Sequence, residues 1–273
     1  MRMNAYICRT CGVQFAPTES PPAACPICDD ERQYVGRGGQ QWTTLEALRT
    51  ERSSEIAEVE PGLTTIDTRP SFAIGQHAHL IQTPAGNLLW ESTSLVDAAA
   101  VEAVRARGGL AAIAISHPHF YSSVVEWSRA FGDAPIWLHA ADREWVMRPD
   151  RAIRFWDGES ADPLPGSGLT LIRVGGHFPG SAALHWPAGA EGRGVLLCGD
   201  MPQAVSDRRW VSFMYSYPNL IPLPASEIGR IAAALAPHRF DRLYSSWVDR
   251  VVPTDAHAVV QRSAARYVEK ITT

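Results

Sequence analysis

The sequence predicts an α/β protein with a small cysteine-rich module at its N-terminus. Two observations carry this. Apolar runs of strand length alternate, in two groups, with longer segments of helical periodicity. Ahead of them, two Cys-x-x-Cys pairs, Cys8/Cys11 and Cys25/Cys28, stand in one short segment. With 273 residues the chain is long enough for one large core and a small appendage. It is 45% hydrophobic and 20% charged, as ordinary globular chains are. A net charge of −4 gives no basis for a nucleic-acid or anionic-membrane partner. No apolar run is long enough to span a bilayer, and residues 1–10 lack the apolar core of a secretory signal. A cytoplasmic protein without membrane association is therefore expected. Lys270 is the only lysine; together with the many alanines this reads as genomic base composition.

The elements follow in order. Residues 1–36 form the cysteine module, residues 37–64 a linker with a short helix, and residues 65–273 the main domain. Gly36-Arg37-Gly38-Gly39 marks the linker. Thr43 or Thr44 can cap a helix through residue 53, with Glu46 near its start. Residues 72–83 and 87–91 read as a hairpin turned by Pro84-Ala85-Gly86. Residues 95–107 have helical periodicity and stop at Gly108-Gly109. A buried strand ends at Ile115, and a helix spans residues 122–131. Residues 136–139 are a strand and 142–147 a short helix. Three further strands cover residues 169–174, 182–186 and 195–198. Helices over 227–235 and 254–271 flank a strand at 242–246. Residues 213–220 form an unusually apolar loop, read either as a substrate lid or as a contact between subunits of a homo-oligomer.

Chemistry concentrates at strand ends. His117-Pro118-His119 directly follows the apolar run that closes at Ile115. Two imidazoles one residue apart, on the turn leaving a buried strand, can face one point, and imidazole is a common ligand of zinc and iron. Gly175-Gly176-His177-Phe178-Pro179-Gly180-Ser181 offers a third imidazole on a glycine-rich turn, and Val195-Leu196-Leu197-Cys198-Gly199-Asp200 ends a strand with a carboxylate. Three histidines and one aspartate make a metal site the leading expectation. The paired Cys-x-x-Cys knuckles Cys8, Cys11, Cys25 and Cys28 read as a tetrahedral four-cysteine site. Disulfides would suit an oxidising compartment, for which nothing in the sequence speaks. Zinc is expected there over iron, because the module is short and no redox partner is evident. Cys198, inside an apolar strand, reads as a core residue.

These pieces resemble the metallo-β-lactamase superfamily, whose pattern is His-x-His-x-Asp-His after a strand, then Gly-His-Thr-Pro-Gly-Ser, then a strand ending in Gly-Asp. The resemblance covers residues 65–250 and implies a four-layer αββα sandwich; the N-terminal segment resembles a zinc ribbon or a shortened rubredoxin. Two departures stand out. Where the family has Asp-His, this chain has Tyr121-Ser122, and the late strand that should supply a last histidine reads Arg242-Leu243-Tyr244-Ser245-Ser246-Trp247. Carried over residue by residue, the first metal site survives as His117, His119, His177 and Asp200, whereas the second loses every ligand of its own. One pocket metal, zinc or iron, is therefore expected, with a small-molecule substrate.

The resemblance implies three functions. The first is hydrolysis, with Asp200 ligating the metal or orienting a water, and Tyr121 donating a proton or binding an oxyanion. The second is similar to persulfide dioxygenases, in which His117, His177 and Asp200 would form an iron facial triad with His119 an onlooker. The third is a metal-stabilised scaffold without turnover. Among the other histidines, His77 and His79 share one face of a strand and read as packing or surface residues. His139 is a candidate lining residue, His185 reads as structural, and His238 and His257 as solvated.

Overall fold

The computed structural model describes residues 3–273. Two β-sheets stack face to face with helices on both outer sides. The first sheet has seven strands in the order Ser53–Glu60, Leu63–Arg69, His77–Thr83, Gly86–Trp90, Ala112–Ala114, Ile136–His139 and Ile153–Trp156. Its first four strands are antiparallel and its later pairings parallel. The second sheet orders Ser160–Ala161, Thr170–Arg173, Ala182–Trp186, Val195–Cys198, Arg242–Tyr244 and Val251–Val252.

Period-2 alternation sorts the side chains into layers. In the first sheet Leu63, Ile81, Leu88, Trp90, Ala112 and Ala114 face the second sheet. Their neighbours Ile66, Leu80, Leu89 and Ile113 face the helices Ala98–Ala106 and Val124–Ala130. In the second sheet Leu171, Leu184, Val195 and Leu197 face inward, while Ile172, Ala183, Leu196 and Leu243 meet the helices Ala225–Leu235 and Ala256–Thr272. Both faces of both sheets are thus apolar, which only a four-layer αββα sandwich can bury.

Local chemistry sets the helix ends. Thr44 caps Leu45–Glu51 by accepting from the amide of Ala47, and Asp97 caps Ala98–Ala106 by accepting from that of Ala100. Beyond this helix, the Asn87 amide donates to the carbonyls of Arg107 and Gly109, at 2.8 and 2.9 Å.

The sequence reading and the structure differ at several places. Residues 53–64, read as part of a linker, contain an edge strand whose mixed charged and apolar residues hide the alternation. Leu63–Arg69 is a further strand, polar because it is rich in threonine. Ile153–Trp156 closes the far side of the first sheet. The apolar segment 213–220 holds most of a small hairpin, Met214–Ser216 with Ile221–Pro222. In the cysteine module, Tyr6–Cys8 pairs with Trp42–Thr44, so Gly36-Arg37-Gly38-Gly39 is a turn within the module, which runs on to Thr44. Among the described residues no helix is long and apolar enough to cross a membrane.

Leu197 is fully buried between the sheets. Leu197→Ala is expected to lower stability by about 2–5 kcal/mol through lost burial and the cavity left behind. Urea unfolding should show a lower midpoint with an unchanged slope.

Candidate metal centres

Strand ends from both sheets converge on one point. The chain leaves Ala112–Ala114 through Ser116 and an extended His117, then turns at once through the short helix Pro118–Phe120. His177 follows Thr170–Arg173 on a turn whose Gly175 and Gly176 both have positive φ. Asp200 follows Val195–Cys198. Between them, Gly199 permits the approach, because a Cβ there would collide with Ser116 Oγ and with His117 Nδ1.

His117, His119, His177 and Asp200 bring one ligand atom each within 4.8 Å of one another. His177 Nε2 lies 3.2 Å from His119 Nδ1 and 3.3 Å from Asp200 Oδ2, and His117 Nε2 lies 3.8 Å from the same oxygen. A tetrahedral zinc bound at about 2.0–2.1 Å would space its ligand atoms about 3.3 Å apart. All four residues are buried, with exposures of 1%, 2%, 1% and 5%. His117 Nε2, His119 Nε2 and Asp200 Oδ1 have no hydrogen-bond partner. Burial pushes His117 and His119 well below the ordinary imidazole range and His177 down to about 4, so the three rings are neutral at pH 7. It pushes Asp200 up to about 8. A cation fits this donor set: it would take up the bare His117 Nε2 and favour the ionised carboxylate.

The rings are aimed from behind. His177 Nδ1 donates to the carbonyl of Tyr215 at 2.7 Å, which leaves Nε2 bare and facing the centre. His117 Nδ1 lies 2.8 Å from Ser116 Oγ, which in turn hydrogen-bonds Glu91 Oε1. The Ser116 amide also donates to Glu91 at 3.2 Å. Glu91 is fully buried, and burial raises its carboxyl to about 8 against these hydrogen bonds. Sequence reasoning left Glu91 as the end of a hairpin strand. Its signal was available: like Asp200, it is a carboxylate closing a buried apolar strand.

Tyr121 lies outside the four-residue cluster. It packs in the apolar layer between the first sheet and its helices, where burial raises its phenol well above the ordinary range. Ser246, at the end of the late strand, donates to the carbonyl of Cys198 at 2.9 Å and reaches Glu91 at 3.3 Å. His77 and His79 are buried, and His77 pairs with Asp67 at 2.7 Å. His139 accepts from the Ala141 amide and packs edge-on against Trp156, and His185 bonds the carbonyl of Arg239.

Cys8, Cys11, Cys25 and Cys28 form the second cluster, fully or almost fully buried and without a disulfide. Cys8 and Cys28 sulfurs lie 3.5 Å apart, and those of Cys11 and Cys25 3.7 Å apart. Sulfurs on a tetrahedral zinc at about 2.3 Å would be about 3.8 Å apart. Gln40 donates to Cys8 Sγ at 3.2 Å. Hydrogen bonds from Cys11, Cys25 and Cys28 hold the Cys8 thiol well below its ordinary range, so a thiolate, the ligating form, is favoured there. Gly12, with φ +83°, ends the first knuckle where a Cβ would strike Gln76 and Ser94.

No family model matches the chain. The uncharacterized protein YmaE of Bacillus subtilis (strain 168) is 51% identical over 271 residues, covering 98% of this chain and 97% of its own. The crystal structure of VMB-1 superposes with a TM-score of 0.61 at 8% identity, over 80% of this chain and 98% of that one. The DIM-1 metallo-β-lactamase exposed to ceftazidime does so at 0.58 and 11% identity, over 81% and 98%. These structures share the fold, and their identities are too low to carry more. On the strength of a match running nearly end to end, the chain belongs to the family of YmaE and has the metallo-β-lactamase fold.

Proposed function

We propose that the protein is a metal-dependent hydrolase acting on a small molecule, with one pocket metal held by His117, His119, His177 and Asp200. The observation that carries this reading is the set of buried ligand atoms, His117 Nε2, His119 Nδ1, His177 Nε2 and Asp200 Oδ2, brought together at the strand ends of this fold with contacts of 3.2–3.8 Å. Zinc in such a site lowers the pKa of a bound water to about 7 and polarises a carbonyl or phosphoryl oxygen. The chain's own groups do the rest. Tyr215 fixes the His177 tautomer through its carbonyl, and Ser116 with Glu91 fixes that of His117. Asp200 Oδ2 faces His117 and His177, while Oδ1 is free to orient a water and accept its proton. Tyr121 receives no role in this proposal, because its surroundings are the apolar layer. Lactams, thioesters, phosphodiesters and lactones all remain substrates to screen, since fold does not choose among them.

One observation favours a second reading. Four protein ligands complete a tetrahedral zinc, and structural sites are closed where catalytic ones keep a position open. Together with the burial of all four residues, this suits a metal-stabilised scaffold.

Elemental analysis of the wild type beside His117→Ala/His177→Ala separates these. Two zinc ions per chain falling to one in the variant, with hydrolysis of one substrate class lost in parallel, is the expected result. The same loss of zinc with no turnover on any class favours the scaffold. Iron lost in the variant shifts the reading to oxygen chemistry, and one metal in both proteins overturns a pocket metal altogether.

The relay behind His117 gives a second expectation. Ser116→Ala should weaken pocket zinc about 10–100-fold, the usual cost of losing an outer partner of a ligating histidine. Competition titration with a chromophoric chelator measures this, and four-cysteine zinc should be unaffected. An unchanged pocket affinity would exclude a positioning role for Ser116.

A further inference from the structure

The histidine centre is covered by the cysteine module. Two open grooves of about 520 and 650 Å³ flank Trp247, and neither is lined by any of the four ligands. Residues 30–33, directly after the second knuckle, bring Arg32 against His177 and Phe178. Arg32 donates to the carbonyl of His177 at 3.3 Å, and its guanidinium sits 4.0 Å over the Phe178 ring. Trp145 and Tyr215 stand 5.3 and 5.5 Å from the same group. Asp30 grips Arg32 with both carboxylate oxygens, at 2.6 and 2.9 Å. The hairpin that aims His177 is tied to the same residues: Tyr215 donates to Glu31 at 2.7 Å, and Asn219 donates to the carbonyls of Glu31 and Gln33.

The two knuckles are anchored differently. The first docks on the main domain by itself: Gln76 donates to the carbonyl of Cys11, and Ser94 to that of Gly12. The amide of Gln14 adds a bond to the carbonyl of Ser122. The second carries the turn Pro26–Asp29 and then the covering residues. The sulfur cluster ties it to the docked first knuckle, beside the fully buried Ile27, which shares an apolar cluster with Val13 and Phe15.

We infer that residues 30–33 are a strap over the histidine centre, and that the four-cysteine cluster holds the strap shut. The occupancy of one metal site thereby controls exchange at the other. Loss of the cysteine metal frees the second knuckle, Arg32 leaves Phe178 and His177, and the centre opens to solvent and small molecules. This inference rests on a pocket metal being held there, not on turnover.

The test follows loss of pocket zinc to a chelating dye, with hydrogen–deuterium exchange over residues 175–181 read in parallel. Arg32→Ala removes a charged hydrogen bond and a cation–π contact. It is expected to speed pocket-zinc loss about tenfold or more, with Arg32→Lys in between. Cys25→Ser/Cys28→Ser should do the same and raise amide exchange over 175–181. Zinc loss and amide exchange at wild-type rates in Arg32→Ala would overturn the strap. An effect of Arg32→Ala without one from the cysteine variant, both folded by circular dichroism, would overturn control by the cysteines. Should the cysteine variant fail to fold, the single change Cys28→Ser gives the same comparison. A wild type without pocket zinc would sink the pocket-metal reading, and amide exchange in the same variants would still decide whether the strap closes.

Discussion

Lone pairs aimed at one buried spot are the constraint on which the rest of this structure depends. Neutral imidazole nitrogens 3.2 Å apart, with a carboxylate oxygen 3.3 Å away, repel unless a proton or a cation stands among them. Each buried polar atom left unpaired costs about 1–3 kcal/mol. The arrangement survives because three strands from two sheets end there and because outer hydrogen bonds leave the rings little freedom. Ser116 and the carbonyl of Tyr215 hold two of the three imidazoles by their other nitrogens. The apolar layer between the sheets supplies the rigidity, since a change in the spacing of the two sheets would move His117 relative to His177 and Asp200.

The same constraint accounts for the cover. A centre with three neutral imidazoles and a reluctant carboxyl is easily flooded by water unless something excludes it. The cysteine module does so with a cation of its own, Arg32, whose charge is balanced by Asp30 and spread over Phe178. The two donor sets are thus joined through a few residues of chain, 30–33, which contact His177 and the hairpin behind it.

Much of this was legible in the sequence, and the readable part was the local part. Cys8, Cys11, Cys25 and Cys28 announce their cluster by spacing. His117, His119, His177 and Asp200 announce theirs by sitting just past apolar strand-length runs. Strands such as Ile136–His139 and Ala182–Trp186 were readable because burial on both faces leaves a continuous apolar run. Ser53–Glu60 and Leu63–Arg69 were not: an exposed edge and a threonine-rich strand carry weak periodicity, and the neighbouring strands decide their conformation. Tyr121 shows the opposite failure. Proximity in sequence to His119 suggested a chemical role, and the turn after Phe120 carried its side chain into the apolar layer instead.

By itself, then, the sequence determined the α/β class, the two donor sets and the order of the strand-end motifs, because these depend on residue type and short spacing, while the four-layer sandwich came from the resemblance those motifs carry. Tertiary structure alone decided that Glu91 stands behind His117, that Tyr215 aims His177, and that Arg32 lies against His177 and Phe178. Each of these contacts joins segments distant in the chain, 145 residues apart for Arg32 and His177. Such pairings arise from how two sheets and a docked module pack in space, and no local pattern encodes them.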